Sequence, residues 1–184
     1  PGGFSFGDYL RPGAIACFSP VIASVKKFAK AGGLVMGICN GFQILVESGL
    51  LPGALVRNRN LRFVCQTVHI KADTQRSPFT NTLVENHPLA IPIAHGDGCY
   101  YANSATLGQL EKQDRVAFRY CNATGHVVEK ANPNGSLNNI AGILSEGRNI
   151  LGMMPHPERS CEMILGSTDG NLIFESIIES CRRS

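Results

Sequence analysis

The sequence predicts an α/β fold, in which a mostly parallel sheet is flanked by helices and a β-hairpin lies near the C-terminus. A helix, a short apolar strand and a second helix follow one another between residues 20 and 48, an order typical of α/β proteins. An amphipathic stretch from 171 to 182 predicts a further helix that packs on the sheet. The 184 residues suit a single domain spanning 1–184.

The first elements have clear boundaries. Pro20 is well placed in the first turn of a helix that ends at Gly32-Gly33. Residues 34–38, Leu-Val-Met-Gly-Ile, are all apolar or glycine, as in a strand buried on both faces of a parallel sheet. Residues 40–48 then predict a helix, which Gly49 terminates.

The later elements are strands until the last helix. Alternating and apolar runs predict strands at 64–70, 89–95 and 116–120. Residues 140–144 and 149–154 flank the turn-forming sequence Ser-Glu-Gly-Arg and predict the hairpin.

The composition excludes several classes of protein. Hydrophobic residues make up 43% and charged residues 17%, so the chain is not of the disordered type. Its 17 basic and 14 acidic residues give a net charge of +3 without a basic stripe, so no nucleic acid is expected as a partner. No apolar run is long enough for a membrane span, and we expect a cytoplasmic protein without membrane contact.

Seven cysteines are present, and no two have the Cys-x-x-Cys spacing of common zinc and redox sites. One of them, Cys39, lies in the pentapeptide Gly37-Ile38-Cys39-Asn40-Gly41, between the predicted apolar strand and a helix. A Gly-x-nucleophile-x-Gly turn at that place indicates a nucleophile elbow. The positive end of the helix is expected to lower the pKa of the thiol. A structural cysteine on a tight turn is the alternative.

A nucleophilic thiol needs a base, and the base needs a group that orients it. His156 follows a predicted strand and lies between two prolines, with Glu158 two residues further on. In an extended segment these two side chains lie on the same side, which makes His156 the candidate base and Glu158 its partner. His95, followed by Gly96, is a weaker candidate for lining a ligand pocket.

The other histidines and the N-terminus have simpler interpretations. His69, His87 and His126 fit a strand filler, a turn and a polar loop, respectively. The opening residues form a glycine-rich loop that is either frayed or places a backbone N–H near Gly3 in an oxyanion hole with the N–H of Asn40.

Two motifs, Gly-x-Cys-x-Gly-x-Gln at 37–43 and Pro-His-Pro-Glu at 155–158, resemble those of the triad-type (class I) glutamine amidotransferases. Four segments, at 1–16, 37–43, 132–136 with 140–143, and 154–159, are similar to those of the family's glutaminase subunits in purine biosynthesis. The resemblance runs over essentially the whole chain. It implies a flavodoxin-like sheet, with a strand–helix–strand portion that family members usually carry before residue 1. We therefore expect either that the natural protein is longer or that a central strand of the sheet is missing.

The resemblance also implies an activity. Cys39 would be the nucleophile, His156 the base and Glu158 its partner, with main-chain donors from Gly3 and Asn40 in the oxyanion hole. Gln43, His95 and Gly96 would bind the substrate, L-glutamine. The product ammonia would pass to a large synthetase subunit that makes formylglycinamidine ribonucleotide, with a small third subunit bridging the two. ATP and Mg would be used by the synthetase subunit, and no cofactor or metal by this chain.

Two alternatives to that activity remain open. Other cysteine hydrolases also place their nucleophile on such an elbow, although they generally lack the Pro-His-Pro-Glu segment. A catalytically silent subunit that only completes a complex is the second, and the intact set of Cys39, His156 and Glu158 argues against it.

Overall fold

A computed structural model describes residue 3 and residues 11–183 of the chain. The helices of that part are Pro20–Lys30 (α1), Asn40–Glu47 (α2), Ser104–Lys112 (α3) and Asn171–Arg183 (α4). Its strands are Val35–Ile38 (β1), Ala54–Val56 (β2), Val64–Ala72 (β3), Leu89–His95 (β4), Cys99–Tyr101 (β5), Val116–Cys121 (β6), Ile140–Leu144 (β7) and Ile150–Met153 (β8). None of the helices in the described residues has the length and apolarity to cross a membrane.

Six strands form one mixed sheet in the order β1-β8-β7-β6-β3-β4, and β2 and β5 pair separately as an antiparallel ribbon. Within the six-stranded sheet only β1 and β8 are parallel, whereas the other four neighbouring pairs are antiparallel. The α/β class is therefore confirmed, and the expectation of a mostly parallel, flavodoxin-like sheet is wrong for the described residues.

The cause of that error lies in how the strands are connected. Parallel neighbours need a long crossover, usually a helix, whereas antiparallel neighbours can follow one another through a short turn. The β7–β8 hairpin closes with a backbone hydrogen bond from Arg148 to Ser145, and no helix lies between β3 and β4. Strands β7 and β8 are buried at every residue, and such burial does not depend on strand direction.

Most of the predicted elements are confirmed within a few residues: α1, β1, α2, β3, β4, β6, the β7–β8 hairpin and α4. The sequence analysis missed β2 and β5, each of three residues, and α3. Helix α3 has Gly108 near its middle and buries only Leu110, so its apolar pattern is weak. Its one clear signal is Asn103, whose side chain accepts a hydrogen bond of 2.8 Å from the N–H of Thr106, as a helix N-cap does.

The sheet separates two hydrophobic clusters. Neighbouring residues of β8, Ile150 and Leu151, belong to different clusters, as alternation across a strand requires. Helix α2 covers one face, where Phe42 stacks on Tyr100 with ring centroids 6.1 Å apart. Ile173 of α4 is fully buried on the other face. Helix α2 therefore covers the face beside the end of β1, where the candidate nucleophile lies, and α4 packs on the opposite face.

The outer edge of β4 is covered by the chain that follows β8. The carbonyl of Pro92 accepts the N–H of His156 at 2.8 Å, and the carbonyl of Ala90 accepts the hydroxyl of Ser160 at 3.2 Å. The N–H of Ala90 donates to Asp169 at 2.7 Å. Proline is tolerated on an edge strand because it has no N–H to offer a neighbour. The segment from 156 to 169 therefore occupies the place of a further strand.

Candidate active site

Cys39 has the backbone geometry of a nucleophile elbow. It lies between β1 and α2 with φ 51° and ψ −107°, a conformation that costs energy for a residue with a side chain. Its N–H donates to the carbonyl of Met153 at 2.8 Å, and its carbonyl accepts the N–H of Gln43 at 3.1 Å. The strained turn is thus fixed from the sheet on one side and from the helix on the other.

The glycine at the start of the pentapeptide is required by close packing. A Cβ atom on Gly37 would lie 2.7 Å from the carbonyl oxygen of Gly41 and 2.5 Å from the side chain of Leu45. The backbone carbonyl cannot move without unwinding the first turn of α2. The turn around Cys39 can therefore be this tight only with glycine at position 37.

His156 and Glu158 form the pair that the sequence predicted. The Nδ1 atom of His156 lies 2.6 Å from Oε1 of Glu158. Because an ionised carboxylate only accepts hydrogen bonds, Nδ1 carries the proton and Nε2 is left as the basic nitrogen. That Nε2 atom is buried and has no hydrogen-bond partner among the described residues. The imidazole is thus oriented as a base with its accepting nitrogen free.

Strand β4 brings the nucleophile and the base together. The thiol of Cys39 lies 3.7 Å from the carbonyl oxygen of Ala94, and the N–H of His156 is bonded to the carbonyl of Pro92. Residues two apart on a strand face the same edge and lie about 7 Å apart. Cys39 and His156 are 117 positions apart in sequence (156 − 39), so it is the folding of the sheet that brings them to the same strand.

The protonation state of Cys39 differs from the expected one. Burial raises the pKa of the Cys39 thiol to about 11, although the N–H of Asn40 and the charge of Arg159 act in the opposite direction. The N–H at the start of α2 does act to lower the pKa, as expected, but the net pKa is raised, because removing the thiolate from water costs more than this contact gains. The resting group is a neutral thiol, and the base has to remove its proton.

The pKa of Glu158 is lowered, as its predicted role requires. Burial alone would raise it, but the hydrogen bond and charge of His156, with the charge of Arg159, outweigh that effect. Glu158 therefore stays ionised, and its negative charge favours the protonated form of His156 that arises when the thiol gives up its proton.

A second buried imidazole, that of His95, lies close enough to His156 for their charges to interact. Asn58, which is fully buried, donates through Nδ2 to the carbonyls of Arg62 and His95 at 2.8 and 2.9 Å. Its Oδ1 is therefore the acceptor that faces Nδ1 of His95 at 3.1 Å and receives the N–H of Gly98 at 3.1 Å.

These contacts fix the state of His95. Nδ1 carries the proton, and Nε2 is a bare acceptor, buried and without a partner among the described residues. Burial lowers the pKa of His95 to about 4, and the charge of His156 acts in the same direction. His95 is therefore neutral beside the base. Sequence reasoning missed Asn58, because nothing in its local sequence indicates that it contacts a strand end 37 residues away.

Gln43 holds the loop that contains Gly96. Its Nε2 donates to the carbonyl of Asp97 at 2.7 Å, and its Oε1 accepts from the side chain of Asn40 at 2.9 Å. Gln43, His95 and Gly96 thus lie together at the start of α2, and their predicted contact with substrate stays a prediction.

The two predicted oxyanion donors have different standing. The N–H of Asn40 is in hydrogen-bond reach of the Cys39 sulfur, where it favours the thiolate. Gly3 is exposed, and its neighbours on both sides lie outside the described residues, so its role stays a prediction.

The remaining histidines lie apart from this cluster of groups. His69 is in β3, and His126 is exposed with Nδ1 2.9 Å from the hydroxyl of Thr124. His87 lines a small apolar cavity with Leu172. Among the residues described, no three His, Cys, Asp or Glu side chains are grouped closely enough to hold a metal ion.

Comparison with protein families gives a match over most of the chain. Residues 1–171 match the family described as "CobB/CobQ-like glutamine amidotransferase domain". The chain is 60% identical to the phosphoribosylformylglycinamidine synthase subunit PurQ of Koribacter versatilis, over 97% of this chain and 77% of that protein. The corresponding figures for the PurQ subunit of Moorella thermoacetica are 58%, 97% and 76%.

A solved structure extends the likeness to three dimensions. The structure of PurLQS from Thermotoga maritima superposes with a TM-score of 0.85 at 42% identity, over 98% of this chain and 77% of the matched one. A second glutamine amidotransferase from the same organism, at 15% identity and a TM-score of 0.52, shares the fold. The chain that places Cys39, His156 and Glu158 at one strand edge belongs to the glutamine amidotransferases, and among them to the PurQ family.

Proposed function

We propose that this chain is the glutaminase subunit of a phosphoribosylformylglycinamidine synthase, which hydrolyses L-glutamine to glutamate and ammonia through a thioester on Cys39. The ammonia passes to a synthetase subunit that makes formylglycinamidine ribonucleotide in purine biosynthesis. The observation that carries the proposal is the shared edge of β4, where the Cys39 thiol and the His156 backbone occupy alternate carbonyls. The high identity to PurQ subunits supports the choice of pathway.

The first chemical step follows from the protonation states. Because the pKa of Cys39 is about 11, its thiol is neutral at pH 7 and attacks only as Nε2 of His156 takes its proton. The sulfur bonds to the side-chain amide carbon of glutamine, and the carbonyl oxygen becomes an oxyanion. We assign the stabilisation of that oxygen to the N–H of Asn40, and its hydrogen bond to the neighbouring sulfur supports this assignment.

The tetrahedral intermediate then breaks down with His156 acting as the general acid. The imidazolium of His156, held by Glu158, gives its proton to the nitrogen, and ammonia leaves. A γ-glutamyl thioester remains on Cys39. The same Nε2 removes a proton from water, which attacks the thioester carbon. The C–S bond then breaks, glutamate leaves, and the imidazolium returns its proton to the sulfur of Cys39. Glu158 stabilises the imidazolium in both halves of the reaction.

The substrate-binding groups of the proposal lie around the start of α2. The loop of His95 and Gly96 is tied to α2 by the hydrogen bond from Gln43 to the carbonyl of Asp97, which keeps the loop beside the start of the helix. We assign recognition of the α-amino and α-carboxylate groups of glutamine to this loop, and the second oxyanion donor to Gly3.

The proposed partners follow from the assembly named for a relative. The Thermotoga maritima structure is of PurLQS, and for this chain we propose a large synthetase subunit and a small bridging subunit of the same enzyme. ATP and Mg are then used by the synthetase subunit. We propose that the chain folds as one domain over 1–184.

The test is release of glutamate from L-glutamine, measured with and without the synthetase subunit. Cys39→Ala is expected to abolish release, because it removes the nucleophile. Cys181→Ala is the matched control, since Cys181 is an exposed cysteine near the end of α4, and it is expected to keep the full rate.

The two possible failures differ. Equal rates for Cys39→Ala and the parent would refute the nucleophile assignment. Glutamate release that depends on Cys39, but without any formation of the amidine when the synthetase subunit is present, would refute only the proposed pathway.

A further inference from the structure

A polar cleft lies at the end of the sheet opposite Cys39. Residues of the α3–β6 connection, the β7–β8 turn and the loop after β3 line this open cleft, whose volume is about 520 Å³. Strands β6 and β8 begin at this edge, and β3 and β7 end there. Cys39 and His156 follow the other ends of β1 and β8, so the cleft is separated from them by the length of a strand, about 15 Å.

Arg115 is the unusual residue of this cleft. It is only 5% exposed, yet its Nε atom has no hydrogen-bond partner among the described residues. No salt bridge joins its guanidinium to a carboxylate in residues 11–183 either. A largely buried guanidinium without an anion is costly, because its loss of water is only partly compensated. The structure thus contains a buried positive charge that lacks its counter-charge.

The other walls of the cleft add to this charge. Arg76, Lys112 and Arg148 also line it, against the two carboxylates of Asp114 and Glu146. Asp114 is already engaged, since it accepts a hydrogen bond of 2.6 Å from Thr74 and lies 3.7 Å from Arg148.

Arg148 forms the rigid part of the wall. Its guanidinium donates to the carbonyls of Arg76 and Gln113 at 3.0 and 2.7 Å, which links the turn to both neighbouring segments. The side chains of Arg76 and Lys112 are exposed and form no ion pair with a described residue. Three cations around one cavity therefore have no partner in this part of the chain: Arg76, Lys112 and Arg115.

We propose that this cleft is a binding site for the phosphate group of a small phosphorylated metabolite, distinct from the glutaminase site. A phosphate is opposite in charge to a guanidinium, and two of its oxygens can accept the paired N–H groups of the planar fork, so Arg115 gains the anion that it lacks. The volume is within the range of cavities that hold ligands of nucleotide size. The cleft is lined by polar groups, which favours a small ionic ligand over an apolar segment of another protein.

Binding is tested on the purified full chain by isothermal titration calorimetry. The probes are inorganic phosphate, pyrophosphate, adenosine 5′-monophosphate and adenosine, at constant ionic strength set with potassium chloride. Phosphate, pyrophosphate and the monophosphate are expected to bind saturably, whereas adenosine does not. A monophosphate that binds more tightly than inorganic phosphate assigns part of the cavity to the nucleoside.

Three substitutions assign the binding to the cleft. Arg115→Gln removes the buried charge, and Arg76→Ala and Lys112→Ala remove exposed ones, so the last two decide the matter if Arg115→Gln does not fold. Each is expected to weaken pyrophosphate binding by about tenfold, the usual effect of losing one charged hydrogen bond. Lys27→Ala, on the exposed side of α1, is the control and is expected to bind as the parent does.

Two results would overturn the proposal. One is the absence of saturable binding of every phosphorylated probe up to about 10 mM, the weakest range of specific sites. The other is binding that Arg76→Ala and Lys112→Ala leave intact, or that Lys27→Ala weakens as much as they do. Because the measured quantity is binding, neither result depends on whether the chain has glutaminase activity.

Discussion

Replacing Glu158 by glutamine tests how the base is positioned. The change keeps the size of the side chain but removes the negative charge 2.6 Å from Nδ1 of His156. The imidazolium that forms as the thiol gives up its proton then loses its counter-charge. In addition, the amide of the new glutamine can donate a hydrogen bond, which favours the tautomer with the proton on Nε2 and removes the base.

The size of the effect follows from the contact. A charge-assisted hydrogen bond contributes ~1.5–3 kcal/mol, and 1.36 kcal/mol corresponds to about a tenfold change in rate. The Glu158 side chain is 32% exposed, so water compensates for part of the lost charge and the lower part of the range applies. We expect kcat to fall by about 10–100-fold, with KM little changed, because the carboxylate acts on the transition state rather than on bound glutamine.

The assay is steady-state release of glutamate by the assembled enzyme, with kcat and KM determined separately. Glu162→Gln is the control, since Glu162 is an exposed carboxylate four residues further on, and it should leave both constants near those of the parent. A kcat for Glu158→Gln within about twofold of the parent value, less than one such bond contributes, would refute the assigned role of Glu158.

Three further predictions concern the packing and ionisation of the site. Gly37→Ala brings its Cβ within 2.7 Å of a backbone carbonyl and should lower the free energy of unfolding, measured in a denaturant titration, by about 1–3 kcal/mol. Gly108→Ala, whose Cβ lies in open space on α3, should not lower it. Equal losses for the two variants would contradict the packing argument. With a pKa of about 11, Cys39 should be alkylated by iodoacetamide about tenfold faster per pH unit up to about pH 10, whereas a plateau near neutral pH would show a preformed thiolate. Asn58→Ala leaves several buried groups without partners and should destabilise the fold by about 3 kcal/mol in thermal melts. Asn60→Ala, at an exposed position, should cost less than about 1 kcal/mol. A small effect at Asn58 would contradict the hydrogen-bond pattern.

The parts of the fold that the sequence predicted are those with strong local signals. The apolar run of β1, the turn-forming residues of the β7–β8 hairpin and the amphipathic α4 each carry their own pattern. Strand direction does not, because an apolar strand is equally well buried beside a parallel or an antiparallel neighbour. The short ribbon of β2 and β5 has three residues in each strand, too few for a periodic pattern.

In the candidate site, too, only the features with a local sequence signal could be predicted. Cys39, His156 and Glu158 were predicted because two short motifs contain all three. The contact of Asn58 with His95 depends on a loop meeting a distant strand end, which no local pattern encodes. The net pKa shift of Cys39 was predicted with the wrong sign. The helix that lowers the pKa is visible in the sequence, whereas the burial that raises it is known only from the folded chain.

The segment that covers the outer edge of β4 links catalysis to solubility. The same amide that anchors His156 also occupies a carbonyl that would otherwise be free to recruit a foreign strand. A substitution that detaches this segment therefore has two effects. It separates His156 from Cys39, and it exposes an unpaired strand edge to other molecules. Inactive variants of this region should be recovered as aggregates more often than inactive variants at Cys39.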